Sequence, residues 1–188
     1  MKKKRGIVIA LLLISCVAGI VYKLYTAPQT EETIEDTEKV SVVYFSATGN
    51  TRRVAEMMAG SIYQDVYEIV PSTPYTEADL NWRDSLSRSS LEMKDSTARP
   101  AIEDMPDFSE HDLIYLGYPI WWGVAPRIIQ TFIESQNLDS VQIVPFCTSG
   151  GSPVEPSVEA LRKAYPHLKW EDGILLNNVA DDGIVESE

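Results

Sequence analysis

Val40-Ser-Val-Val-Tyr-Phe45-Ser-Ala-Thr-Gly-Asn50-Thr-Arg-Arg-Val-Ala55 carries three local structures in one short span. Val40 to Phe45 is an apolar run rich in β-branched and aromatic residues, and it predicts a buried strand. The run stops at a hydroxyl-rich loop around Gly49, and helix-period residues begin at Val54. A strand, a short loop and a helix in this order build an anion cradle. Loop amides and the first unpartnered N–H groups of the helix converge on one point. Ser46, Thr48 and Thr51 add hydroxyl donors, and Gly49 admits close backbone approach. There is no Gly-Lys-[Ser/Thr] as in a nucleotide-hydrolysing loop. The second and third glycines of a dinucleotide loop are also missing. What remains is an uncharged hydroxyl nest for a phosphate monoester that is held and not turned over. The plain alternative is a strand-to-helix turn capped by Asn50 or Thr51.

Outward from this stretch, apolar runs alternate with helical patterns. Strands are predicted at 40–45, 66–70, 113–118, 141–147 and 174–176, the central ones continuously apolar, as both-face burial requires. Val54, Met57, Met58 and Ile62 mark one helix face; Ile128, Ile129, Phe132 and Ile133 mark a second, and Val158, Leu161 and Ala164 a third. This alternation predicts βαβ units and a parallel sheet. The stretch Pro71 to Phe108 is less regular. Residues 81–94 read as helical with Trp82, Leu86 and Leu91 inward. Glu92 and Arg99 are candidates to pair across it, and Tyr75 to cover a ligand or pack its loop.

In a doubly wound sheet of order 2-1-3-4-5, ligands sit beyond the strand C-termini at the switch point. That rule brings together the loops after the first, third and fourth strands. The second of these reads Pro119-Ile120-Trp121-Trp122-Gly123 and continues to Ala125-Pro126. Adjacent tryptophans there suit the walls of a flat aromatic ligand, or else plug the core beneath the loop. The third loop, Thr148-Ser149-Gly150-Gly151-Ser152, is small enough for its amides to reach a ligand edge.

With all three loops in view, the chain from Val40 to about Asn178 resembles the flavodoxins, in a bacterial short-chain branch bearing Tyr-Pro-Ile-Trp-Trp-Gly. The resemblance implies a three-layer α/β/α domain with a five-stranded parallel sheet, and FMN as cofactor. Ser46, Thr48, Gly49, Asn50 and Thr51 would hold the phosphate by that match. Pro119, Ile120, Trp121, Trp122 and Gly123 would line the isoalloxazine ring. Thr148, Ser149, Gly150 and Gly151 would approach its pyrimidine edge. The implied function is electron transfer, which requires no general acid, base or nucleophile of the protein. Two other functions stay open: an FMN-dependent NAD(P)H:quinone-type oxidoreductase, and a non-redox module holding some other phosphorylated ligand. Arg52 and Arg53 depart from a site free of cationic side chains and are expected as solvated helix residues. Asp181 and Asp182 resemble helix N-caps, but only 183–188 follow. The last helix is therefore expected to be truncated here, leaving sheet surface to be covered otherwise.

Composition sets the surroundings. Lys2-Lys3-Lys4-Arg5 precedes an uncharged run from Gly6 to Tyr22. Residues 1–28 read as a signal peptide or membrane anchor, placing the remainder outside the cytoplasmic membrane. Leu13-Ile14-Ser15-Cys16 resembles a lipobox, so Cys16 is either lipidated or part of an uncleaved anchor. Residues 29–39 form an acidic tether, and 40–188 the domain. Beyond residue 28 stand 11 basic and 28 acidic residues, a formal charge of −17. Such a domain does not seek nucleic acid and suits a redox partner with a basic docking face. Cys16 and Cys147 are the only cysteines, which excludes a disulfide framework within the domain. His111 and His167 lack ligand-spaced neighbours, so no metal is expected and both read as surface residues.

Overall fold

The structure, a computed structural model, describes residues 38–180 and 183–185. The expected anchor and nearly all of the tether lie outside the described residues. Strand β1 (Val40–Tyr44) leads to α1 (Asn50–Ile62), β2 (Asp65–Glu68) and the short α2 (Arg88–Lys94). Then follow β3 (Leu113–Pro119), α3 (Arg127–Ser135), β4 (Gln142–Thr148) and α4 (Glu155–Ala164). The fifth strand position holds two short pieces, β5 (Lys169–Trp170) and β6 (Ile174–Leu175), both parallel to β4. The sheet order is β2-β1-β3-β4-β5, all parallel, as expected.

Strand alternation divides the core between two faces. Val43, Phe45, Ile114, Leu116 and Ile143 face α3 and α4, where Ile128, Ile129, Phe132, Val158 and Leu161 meet them. Val42, Tyr44 and Phe146 face α1 through Val54, Ala55 and Met58. Gly117 lies opposite Phe146 in the β3–β4 ladder, and the phenyl ring fills the space where a side chain would stand.

The break in the fifth strand has a cause in β4. Ile143 and Cys147 accept bonds from Glu171 and Leu176 through their carbonyls, so odd positions of β4 face the fifth strand. Pro145 is one of them and has no N–H to give. The register advances by one residue between Ile143↔Trp170 and Phe146↔Ile174, so Glu171–Gly173 forms a bulge. The single strand expected at 174–176 is therefore two pieces, starting earlier. Among the described residues no helix follows β6. An antiparallel pair, β7 (Asn178–Ala180) and β8 (Gly183–Val185), occupies that stretch, and β8 lies beside α1. Asp181 and Asp182, expected as N-caps, lie outside the described residues.

Candidate cofactor site

The loop after β1 tightens on itself before α1 begins. Gly49 sits in the left-handed region at φ 88° and its N–H donates to Ser46 Oγ at 3.1 Å. It is also the N-cap, a position glycine fills with no side chain, and no side chain caps the helix. Neither Asn50 nor Thr51 caps α1; both lie within its first turn. The first-turn amides are thus left for an anion, as the anion-cradle reading requires.

Thr51 and Thr148 carry the closest link between loops. Their hydroxyls meet at 2.8 Å in a buried position, while the Thr148 carbonyl accepts from Ile120 N–H at 2.9 Å. One residue at the end of β4 thus ties all three switch-point loops together. In this arrangement the two hydroxyls satisfy each other and act as structural ties.

The tryptophan loop is a tight turn. Trp121 and Val124 exchange backbone bonds of 2.9 and 3.0 Å, and the central Trp122 and Gly123 have φ of 48° and 80°. Positive φ at both central residues is the I′ pattern, natural for Gly123 and strained for Trp122. The two indoles part company there. Trp121 is half-buried, edge-on to Phe45 (5.8 Å) and Tyr75 (5.6 Å). Trp122 is 52% exposed.

In the third loop Ser149 is the organiser. Its N–H donates to Asn177 Oδ1 at 2.7 Å, and its Oγ accepts from the N–H groups of Gly151 and Ser152. Two amides that the loop would offer a ring edge are therefore engaged within it.

Two adjoining clefts open at this switch point and share Thr48, Pro119, Ile120, Trp121, Ser149 and Gly150. The smaller, about 280 Å³, adds Asn50, Arg53, Val54, Thr148 and Asn177. The larger, about 490 Å³, adds Trp122 and Gly151 from the expected set. Ser46, Gly49, Thr51 and Gly123 shape the loops without lining either cleft. No carboxylate lines either one, and the smaller holds a single cation, Arg53. Hydroxyls, an uncapped helix start and aromatic walls fit a phosphate-bearing aromatic group such as FMN. Arg52 turns the other way: it forms an ion pair with Glu68 at 2.5 and 2.8 Å and reaches the Tyr44 hydroxyl at 3.3 Å.

The irregular region reaches the site by a route not visible in its periodicity. Trp82, Leu86 and Leu91, expected inward, are exposed. The helix there starts only at Arg88, where Ser87 caps it by accepting from Ser90 N–H, so no helical face exists to turn Trp82 and Leu86 inward. Leu80, Trp82 and Ser89 instead line the larger cleft. Tyr75 donates to Glu92 Oε2 at 2.6 Å and lies under the Arg88 guanidinium, 4.0 Å from its ring centroid. Burial, reinforced by the Glu92 bond, pushes its phenol well above the usual range. Glu92 pairs with Arg88, four residues away on the same helix, while Arg99 pairs with Glu134 on α3. The expected Glu92–Arg99 pair does not form. His111 also differs from expectation: it is buried against Phe108, with Nε2 bonded to Ser41 Oγ at 3.0 Å.

Asn177 and the Leu80–Trp82–Ser89 wall were not legible beforehand, since nothing in their local pattern marks a site. A sequence model described as flavodoxin matches residues 39–186. A candidate flavoprotein of known structure from Bacteroides eggerthii DSM 20697 is 48% identical, covers 77% of this chain and 91% of its own, and gives a TM-score of 0.74. One from Bacteroides uniformis ATCC 8492 is 46% identical over 77% and 94%, also at 0.74. A flavoprotein in complex with FMN from Lactobacillus acidophilus NCFM, 23% identical over 73% and 92% with a TM-score of 0.60, shares the fold. No curated protein matches the chain. The cradle, the aromatic loop and the match across nearly the whole domain agree: the chain belongs to the flavodoxin family.

Proposed function

We propose that this domain is an FMN-binding electron-transfer protein held by its N-terminus on the outer face of the cytoplasmic membrane. The observation that carries the FMN reading is the pair of joined clefts. One is lined by hydroxyls beside an uncapped helix start, the other by tryptophan, and neither by a carboxylate. Thr48, Asn50 and the first-turn amides of α1 would hold the phosphate, with Arg53 at the margin. Trp121, Trp122 and Gly150 would border the ring. FMN supplies one- and two-electron chemistry when bound, and the protein supplies its position and electrostatics. Ile120 and Trp121 would shield part of the ring from water. The formal charge of −17 beyond residue 28, tether included, makes electron uptake less favourable and lowers the working potential. The same charge supports a redox partner with a basic docking face.

The tether rests on the basic start, the apolar run and the Cys16 lipobox. Among the described residues no helix is long and apolar enough to cross a membrane. The test has two parts. Purified protein given FMN and freed of excess is expected to retain oxidised-flavin absorption with quenched fluorescence. A colourless product would refute the FMN reading and favour a non-redox phospholigand. Cell fractionation of wild type and Cys16→Ala is expected to find the wild type in membranes. A wholly soluble wild type would refute the tether, and a membrane-bound variant would favour the uncleaved anchor over lipidation.

A further inference from the structure

The larger cleft is built from more than the three switch-point loops. Leu80, Trp82 and Ser89 come from the long segment between β2 and β3. Trp82 is 66% exposed and belongs to neither core cluster. A large apolar ring left in solvent beside a cofactor cleft calls for a physical account.

The segment that carries Trp82 is closed by its own side chains. Asp79 Oδ2 accepts from the N–H and hydroxyl of Thr76, and Thr76 Oγ1 accepts in return from Asp79 N–H. Asn81 Oδ1 accepts from Arg83 N–H, and Asp84 Oδ1 from Leu86 N–H. Ser89 N–H donates to the Asp79 carbonyl at 3.0 Å. The Arg83 guanidinium lies over the Trp82 ring, 4.8 Å from its centroid. Arg88 then anchors the segment beside Trp121, through Tyr75 and Glu92. Trp82 is therefore presented on a braced support, with one ring face covered by Arg83.

We infer that the larger cleft takes a second ligand beside the cofactor, an uncharged planar ring of the quinone class, stacked on Trp82. This rests on the FMN reading and names the small molecule that the site would accept. Charge selects the class. No Asp, Glu, Lys, Arg or His lines this cleft, and the domain around it is strongly acidic. A nicotinamide dinucleotide would bring a pyrophosphate into a cleft with no cation on its lining, the neighbouring Arg83 being engaged over one face of Trp82, at a cost in desolvation and repulsion. A quinone brings only carbonyl oxygens, for which the hydroxyl of Ser152 is a donor on the lining. The phosphate end of FMN has its own cleft with Arg53, so the Trp82 side is not needed for it.

The test measures binding of tetramethyl-p-benzoquinone by equilibrium dialysis in the dark. This quinone is fully substituted, so it does not add to the buried Cys147 thiol. FMN-loaded wild type, Trp82→Ala and Trp82→Phe are compared, with FMN retention recorded for each. The quinone is expected to bind the wild type, about tenfold more weakly to Trp82→Ala, and within about threefold of wild type to Trp82→Phe. FMN retention is expected to be equal in all three, because Trp82 lines only the larger cleft, whereas Asn50 and Arg53 at the phosphate end line the other. Equal quinone binding by Trp82→Ala, or no binding by an FMN-loaded wild type, overturns the proposal. Displacement of the quinone by NADH overturns the uncharged class, and loss of FMN from Trp82→Ala assigns Trp82 to the cofactor instead. A wild type that retains no FMN overturns the reading beneath.

Discussion

Replacing Gly117 by alanine tests the packing beneath the site with a single methyl group. A Cβ there would stand 2.1 Å from Phe146 Cζ and 2.5 and 2.7 Å from the two Cε atoms. Carbon atoms pack at roughly 3.5–4.0 Å, so the ring must retreat by about 1.5 Å. It has little room to do so, because Phe146 is fully buried and β4 is paired along both edges. We expect Gly117→Ala to cost about 3 kcal/mol, at the upper end for overpacking. In a domain of this size that lowers the thermal midpoint by about 6–12 °C. Phe146→Ala alone also destabilises, by about 3–5 kcal/mol. With the ring gone the sign of the glycine substitution reverses. Alanine then replaces glycine in a strand and stabilises by about 0.5–1 kcal/mol. The four proteins form a double-mutant cycle, measured by urea unfolding under near-UV circular dichroism. A Gly117→Ala protein melting within about 2 °C of wild type would refute the reasoning. So would an equal cost in the Phe146→Ala background.

Three further outcomes are expected. Thr51→Val or Thr148→Val alone leaves one buried hydroxyl without its partner and costs about 1–3 kcal/mol, whereas the double variant is close to neutral; additive costs in urea titrations would contradict this. Arg53→Ala weakens FMN binding by roughly fivefold at low salt, an effect lost at high salt, while Arg52→Ala leaves it unchanged because Glu68 holds that side chain; fluorescence titration with FMN separates the two. Burial, joined by the Lys39 charge, lowers the pKa of His111 below its unfolded value of about 6.5. The unfolded chain therefore binds the proton first, and stability falls as pH drops below about 6.5 toward the folded pKa. Removing the imidazole in His111→Gln should flatten that part of the pH–stability curve, and an unaltered slope would exclude His111 as its source.

The strands and the three loops were legible because each has a local cause. Buried parallel strands demand continuous apolar runs, and residues 113–118 and 141–147 have them. Gly49 and the hydroxyls around it mark a turn into a helix before any tertiary contact forms. What the sequence did not reveal depends on partners distant in the chain. Arg99 has acidic candidates on two elements, and only the packing of α3 against the irregular region selects Glu134. His111 is flanked by Glu110 and Asp112, a surface-like context, yet it is buried beside Phe108 and Ser41. Trp82 and Leu86 stand at helical spacing, but the side-chain-closed turns from Thr76 to Ser87 defer the helix to Arg88. Periodicity reports which residues share a face when an element exists. It does not report whether local hydrogen bonds will prevent that element from starting.

The bulge opposite Pro145 has a consequence for how copies of this protein meet one another. Among the described residues β5 pairs only with β4, so Lys169 and Trp170 stand at the border of the sheet. An uninterrupted border of that kind is a template onto which a strand of another molecule can add. Here the template is cut into two-residue lengths by Glu171–Gly173, and the Asp172 side chain there is fully exposed. An incoming strand would lose register after one or two bonds and would meet the Asp172–Arg162 ion pair. A proline that cannot donate inward thus shortens the stretch of strand that a neighbouring molecule could extend.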